Sequence, residues 1–287
     1  MFINLNGQLL PADKPSLTQS NRSFRYGDSL FESLKMIHGK ILFLQDHLNR
    51  VLEGAVILGM LPRGGKIQAS KMLEQEIKRL LQQENQILHC RLRLTIFRSD
   101  GGLYEPRGTG FGFLIETFAT VLGTYTLNAK GLVVDIYEDM HKNSDLISNY
   151  KTGNSLVYVM AALHKKNKGL DDCIVLNTSG RPVEFTSSNL FIISKGIVIT
   201  PALTEGCISG VMRKNLLEFL QKEGYETRME NLEIESLENA DEMFRCNMGH
   251  GIQWVGKFRE KIYQAKETQE IFSRFQVHLD SLLYFPF

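Results

Sequence analysis

The chain has 287 residues, with 33 Lys and Arg against 32 Asp and Glu, a formal net charge of +1, 43% apolar residues and 4 Cys. That balance excludes a disordered chain and a nucleic-acid reader working through a basic surface, because phosphate binding needs a clear excess of Lys and Arg. The length suits two modest domains, or one domain with a large insertion. Cys90, Cys173, Cys207 and Cys246 form no CxxC pair, so neither a zinc ribbon nor a small disulfide framework is expected and a cytoplasmic location is. The opening residues lack a basic segment followed by an apolar run, and no apolar stretch approaches the roughly 18 residues of a membrane span.

In chain order, residues 2–5 read as a strand, Asn6-Gly7 as a hairpin turn, and Leu9-Leu10 as its return. Residues 29–37 and 41–44 flank a turn at His38-Gly39-Lys40. The apolar period then becomes helical over 45–60 and again over 66–84. Residues 89–97 alternate, with Arg91, Arg93 and Thr95 on one face and Leu92, Leu94 and Ile96 on the other, as in a half-buried strand; Arg98 ends it. A Gly-rich loop over 99–112 precedes a strand at 113–118, and 119–126 is the expected domain linker. Further on, 152–168 suits a helix, 173–176 a strand, Thr178-Ser179-Gly180-Arg181 a turn, Val183 onward another strand, and 197–200 a strand after the Lys195-Gly196 turn. Helices are expected from Ser209 to Gly224 and over 268–284, with a strand at 241–246 between them. On the last helix, Phe272, Phe275, Leu279 and Leu282 read as core.

The chemistry-bearing region runs from Asn149 to Arg213. It holds Lys151, the stretch Glu184-Phe-Thr-Ser-Ser-Asn189-Leu-Phe191 read as one strand, Thr200, and Ser209-Gly210-Val211-Met212-Arg213 opening a helix. Taken singly, Lys151 is a solvated lysine, Glu184 a cross-strand partner and Ser209 a helix cap. Taken together, with Arg25-Tyr-Gly-Asp-Ser-Leu-Phe-Glu32 and His47-Leu-Asn-Arg50 near the start, they resemble the class IV aminotransferase family over nearly the whole chain. Glu184, Asn189, Leu190, Phe191, Thr200, Gly210, Val211 and Arg213 fit its signature.

The resemblance implies a two-domain α/β chain of the α+β type, the D-amino acid aminotransferase-like fold type IV. A smaller domain would span 1–120 and a larger one 121–287, the latter carrying the reactive lysine, with pyridoxal 5′-phosphate in the cleft. It implies that Lys151 forms the Schiff base with the cofactor aldehyde and moves the substrate Cα proton, and that Glu184 faces the pyridine nitrogen so that the ring acts as an electron sink. Arg50 and the first-turn amides of Val211 and Met212 would hold the phosphate, as a forked cation and a helix N-terminus do. Ser188 and Asn189 would lie near the ring and Asn247 near the phosphate end. Substrate carboxylates call for guanidinium groups from Arg98, Arg93 or Arg25, with Tyr26 and Phe31 as pocket walls. For Arg91 and Arg93 a solvated strand face is the alternative, and for Phe31 a place in the core. A homodimer acting on a small-molecule amino substrate follows from the same resemblance.

Other chemistries find less support. Seven His include no HExxH, so no metal site is expected. No GxSxG elbow occurs, and Gly110-Phe-Gly112, better read as a hairpin turn, lacks the third glycine of a dinucleotide fingerprint. Lys165-Lys166-Asn-Lys168 reads as a solvated helix end. Within the family, Met212, Cys246-Asn247 and Lys151-Thr-Gly-Asn154 are similar to the 4-amino-4-deoxychorismate lyase branch. Branched-chain and D-amino acid aminotransferases are the alternative reading, and a pyridoxal phosphate protein without catalysis is the third.

Overall fold

A computed structural model of the chain describes residues 1–14, 17–61, 63–84, 87–120 and 123–284. It divides into two compact units, Met1–Thr124 with Tyr150–Asn154, and Tyr125–Asn149 with Ser155–Phe287. The expected linker therefore holds the first boundary, and its residues 121–122 lie outside the described residues.

The first unit is built from β1 (Phe2–Leu5), β2 (Gln8–Pro11), α1 (Arg22–Tyr26), β3 (Ser29–Ile37), β4 (Lys40–Ile41), α2 (Leu44–Ile57), α3 (Lys66–Gln83), β5 (Cys90–Arg98) and β6 (Phe111–Ala119). Its sheet runs β2-β1-β6-β5-β3-β4, antiparallel throughout. One face carries Leu30, Leu34, Met36, Leu92, Leu94 and Ile96, which form a single core with Leu48, Leu52, Leu73 and Ile77 of α2 and α3. The alternation expected for β5 is present: Leu92, Leu94 and Ile96 are fully buried, whereas Arg91 is exposed and Arg93 half-buried. Gly112 belongs to β6, opposite Phe97, rather than to a hairpin turn. The strand expected at 41–44 stops at Ile41, because Phe43 takes a left-handed φ of 53° and turns the chain into α2.

The second unit comprises β7 (Leu132–Lys142), α4 (Leu156–Lys168), β8 (Asp172–Asn177), β9 (Pro182–Phe185), β10 (Asn189–Ser194), β11 (Ile197–Pro201), α5 (Val211–Lys222), β12 (Thr227–Glu230), α6 (Ile234–Asn239), β13 (Glu242–Asn247), β14 (Gly251–Phe258), β15 (Lys261–Ile262) and α7 (Lys266–Tyr284). Its sheet runs β12-β11-β10-β13-β14-β7-β8-β9, with β15 on β14. The strand expected from Val183 onward is two strands: the Phe185 N–H donates to Ser188 O at 2.8 Å and reverses the chain. As a result β9 returns onto β10 with Glu184 opposite Asn189. Val134, Ile174, Phe185, Leu190, Met243, Val255 and Phe258 fill the core of this sheet. On α7 the buried stripe is Ile271, Phe275, Leu279 and Leu283, so Phe275 and Leu279 are core while Phe272 and Leu282 sit half-buried beside them.

The helix expected from Thr152 begins at Leu156. Its first residues are taken by an extended segment: Leu30 bridges Thr152, the Phe31 N–H donates to Lys151 O at 2.8 Å, and the Gly153 N–H to Ser29 O at 2.9 Å. These bonds group Lys151 with the first unit, whereas the sequence reading assigned it to the second. Only glycine fits at 153, where a Cβ would lie 2.6 Å from Ser29 Oγ and 2.7 Å from Gly27 O. At the other end of α4, Lys165, Lys166 and Lys168 occupy the last turn, where the helix dipole favours cations. Among the described residues no helix is long and apolar enough to cross a membrane, and no cluster of His, Cys, Asp and Glu could hold a metal.

Candidate functional site

The first unit brings Lys151, Phe31 and Arg93 together. Lys151 Nζ lies 4.6 Å and the Arg93 guanidinium carbon 4.1 Å from the centre of the Phe31 ring, distances at which a ring face attracts a cation. Phe31 is half-buried and stands on the face of its sheet opposite the helix-covered core. Register explains the grouping. Phe31, Ser33 and Lys35 alternate along one face of β3, opposite Thr95, Arg93 and Arg91 of β5. Lys35 is buried and desolvation draws its ammonium down to about 8.

Tyr26 and Arg98 line a cavity of about 280 Å³ with Arg22, Asp28, Tyr104, Thr152 and Asn154. Each nitrogen of the Arg98 guanidinium donates one hydrogen bond: Nε to Asp28 Oδ2 at 2.8 Å, and the terminal nitrogens to Gly59 O at 3.2 Å and Leu58 O at 2.5 Å. Arg22, on the same Asp28, also donates to the carbonyls of Gly101, Leu103 and Tyr104 and so anchors the Gly-rich loop. Burial raises the Asp28 carboxyl, but hydrogen bonds and charge from Arg98 and Arg22 outweigh it and the net direction is down. Arg25 is exposed and donates to Gln19 O.

Arg50 is 8% exposed on α2 and makes a two-pronged contact with Glu32, Nε to Oε1 at 2.7 Å and a terminal nitrogen to Oε2. His47, one turn earlier on the same helix face, meets Glu32 Oε2 through Nδ1 at 2.7 Å. Burial pushes the Glu32 carboxyl up, but the Arg50 charge and the His47 contact together bring it down to about 2. Glu32 and His47 stood inside quoted motifs without roles. The i, i+3 spacing of His47 and Arg50 on α2 was the one local signal, and nothing local tied Glu32 to them.

In the second unit Glu184 is 3% exposed and its carboxylate is held by three donors. Oε1 accepts from Lys142 Nζ at 2.5 Å and from the Tyr158 hydroxyl at 2.7 Å, and Oε2 accepts from the Ile208 N–H at 2.9 Å. Lys142 was not legible beforehand, because β7 shows no clean alternation and was not recognised, and Tyr158 lay in an expected helix with nothing local to tie it to Glu184, 26 residues on. Asn189 Nδ2 donates to Ile208 O at 2.8 Å, and a Cβ on Gly210 would fall 1.9 Å from Asn189 Oδ1. Thr200 Oγ1 donates to Leu190 O at 2.7 Å and Arg213 to Pro201 O at 2.9 Å. Asn189, Thr200, Gly210 and Arg213 thus dock the start of α5 onto β10 and β11. The N-cap of that helix is Gly210, which has no side chain to cap it, and its first residues, Val211 and Met212, are both buried. Ser188 accepts from Asn247 Nδ2 at 2.8 Å, so these two expected residues are mutual partners.

The family of class IV amino-transferases matches residues 29–258, and the chain belongs to it. Its members are pyridoxal-phosphate-dependent transaminases and lyases, and pyridoxal 5′-phosphate is the cofactor. An aminodeoxychorismate lyase of Vibrio harveyi is 27% identical over 234 residues, 81% of this chain and 83% of that protein. The 4-amino-4-deoxychorismate lyase structure from Pseudomonas aeruginosa superposes with a TM-score of 0.82 at 25% identity, covering 97% of this chain and 99% of that one. A branched-chain amino acid aminotransferase from Escherichia coli reaches a TM-score of 0.85 at 21% identity over 96% and 92% of the two chains, which shows the fold alone.

The Glu32 contacts predict a pH dependence. A carboxyl lowered from 4.5 to about 2 in the folded state contributes stability above 4.5 that drains away as the pH falls toward 2. Chemical denaturation of Glu32→Gln at pH 7 is expected to show a loss on the order of 3 kcal/mol, with a shallower decline between pH 5 and 3 than the wild type. Parallel declines in the two proteins would contradict it.

Proposed function

We propose that the chain is a 4-amino-4-deoxychorismate lyase, releasing pyruvate and forming 4-aminobenzoate. The observation that carries this reading is the face of the first unit's sheet opposite its helix-covered core, where Lys35, Arg91 and Arg93 stand at adjoining register positions beside Phe31 and Lys151. The substrate carries one carboxylate on its ring and a second on the enolpyruvyl ether that leaves as pyruvate, and guanidinium groups beside an aromatic ring suit that combination. A pocket for branched aliphatic side chains needs apolar walls instead. Arg93 is the better carboxylate partner than Arg98, each of whose three nitrogens already donates to Asp28 or a backbone carbonyl.

The residues present fit the cofactor. A carboxylate offers about four acceptor positions, and three of those on Glu184 are filled, which leaves one on Oε2 for a pyridinium N–H. The first turn of α5, with a glycine at its N-cap, would offer the amides of Val211 and Met212 to an anion. Arg50, pinned by Glu32, supplies a fixed cation for the phosphate, Ser188 and Asn189 would border the ring, and Asn247 would hold Ser188 in place. When bound, the cofactor supplies a carbonyl that condenses with amines and a ring that takes up an electron pair. Lys151 is the amine that holds it.

In the lyase reaction Lys151 removes the proton from the carbon bearing the substrate amino group. The ring C–O bond breaks, the departing enol oxygen keeps its electron pair and is protonated, and the enol settles to pyruvate as the ring becomes aromatic. Phe31 keeps water from the lysine side chain, and Arg93 holds a carboxylate so that the breaking bond stays aligned. A branched-chain or D-amino acid aminotransferase is the second reading, and a putative branched-chain-amino-acid aminotransferase of Methanocaldococcus jannaschii, 24% identical over 282 residues, supports its branched-chain form.

A cytoplasmic homodimer is part of the proposal. Leu156, Val159, Met160 and Leu163 form an exposed apolar stripe at i, i+3, i+4 and i+7 on α4, which suits a second copy of the chain. Sedimentation is expected to give twice the chain mass, falling to the chain mass in Val159→Asp/Leu163→Asp; a wild-type monomer would contradict it. For activity, the purified enzyme given 4-amino-4-deoxychorismate without a keto acid is expected to release pyruvate. Given Leu, Val or D-Ala with 2-oxoglutarate, it is expected to form no glutamate. Glutamate from the second mixture and no pyruvate from the first would establish the transaminase reading.

A further inference from the structure

We propose that Lys142 and Tyr158 are positioning residues that clamp one oxygen of Glu184 so that the other is presented to the ring nitrogen of the cofactor. The proposal rests on the assignment of Glu184 to that nitrogen. Three elements converge on the carboxylate: the last residue of β7 supplies Lys142, α4 supplies Tyr158, and the loop ahead of α5 supplies the Ile208 N–H.

Their division of labour is uneven. Oε1 receives both side chains, at 2.5 and 2.7 Å, and its acceptor positions are filled. Oε2 receives only the backbone donor, at 2.9 Å. Lys142 Nζ also lies 5.5 Å from the centre of the Tyr158 ring, so the ammonium is held against an aromatic face as well as a carboxylate. Lys142 is 8% and Glu184 3% exposed, and a buried carboxylate that loses its cation is left uncompensated and turns to other donors. Burial, then the charge and the hydrogen bond of Glu184, push the Tyr158 hydroxyl well above its ordinary range, so it remains a donor. The amine that holds the cofactor and the amine that holds Glu184 are therefore different lysines with different duties, Lys151 reactive and Lys142 electrostatic.

A merely structural role for Lys142 would weaken every ligand equally. A positioning role would erase the distinction between a ring that carries an N–H and one that does not. Full-length apoenzyme is titrated with pyridoxal 5′-phosphate and, separately, with its 1-deaza analogue, in which the ring nitrogen is a C–H. The wild type is expected to prefer the natural cofactor by about tenfold or more, as a charge-assisted hydrogen bond allows. Lys142→Met is expected to cut that preference to within about threefold, Lys142→Arg to restore it, and Tyr158→Phe to fall between them. Glu184→Gln marks the floor. A preference unchanged in Lys142→Met, or in Tyr158→Phe where the Met variant does not fold, would overturn the proposal while leaving Glu184 at the nitrogen. A wild type that binds both compounds equally would overturn the Glu184 assignment itself, and one that binds neither would overturn the cofactor reading.

Discussion

A carboxylate buried to 3% exposure cannot stand without donors, and the second unit is organised around supplying them to Glu184. Meeting that demand requires β7 to end at Lys142, α4 to begin where Tyr158 reaches inward, and the residues before α5 to turn an N–H toward Oε2. It also requires β9 to fold back onto β10, the reversal that sets Glu184 opposite Asn189. Asn189 then holds Ile208 O, so the same short stretch fixes both the carboxylate and the start of α5.

The first unit solves a parallel problem with different parts. Glu32 is as deeply buried as Glu184, and its charge is met by Arg50 and His47 from one face of α2. Breaking such a pair by removing one partner is costly, because the other charge stays buried without compensation. The sheet that carries Glu32 on its covered face carries Phe31 on the opposite one, a consequence of period-two alternation along β3. One strand thereby serves a structural ion pair and an aromatic ring at consecutive residues.

Much of this was legible in the sequence where a pattern is local. The alternation of β5 and the helical periods of α2 and α3 follow from short-range rules, and the residues from Glu184 to Arg213 resembled the signature of the family that the comparison shows. What was not legible depends on contacts far apart in sequence. Lys142 meets Glu184 across 42 residues from a strand whose burial does not alternate. The helix was expected to begin at Thr152, just after Lys151, yet pairing of Thr152 and Gly153 with Leu30 and Ser29 keeps those residues extended. Asn189, Thr200, Gly210 and Arg213 drew attention as signature residues, and the structure gives them the work of docking a helix. A signature marks what a site needs held still as much as what reacts.

The central claim is that one lysine takes the cofactor and another only supports it. Borohydride reduction of the holoenzyme followed by peptide mass spectrometry fixes the cofactor to whichever amine holds it. The account predicts a phosphopyridoxyl group on Lys151 and none on Lys142; label on Lys142, or on a surface lysine alone, would contradict it.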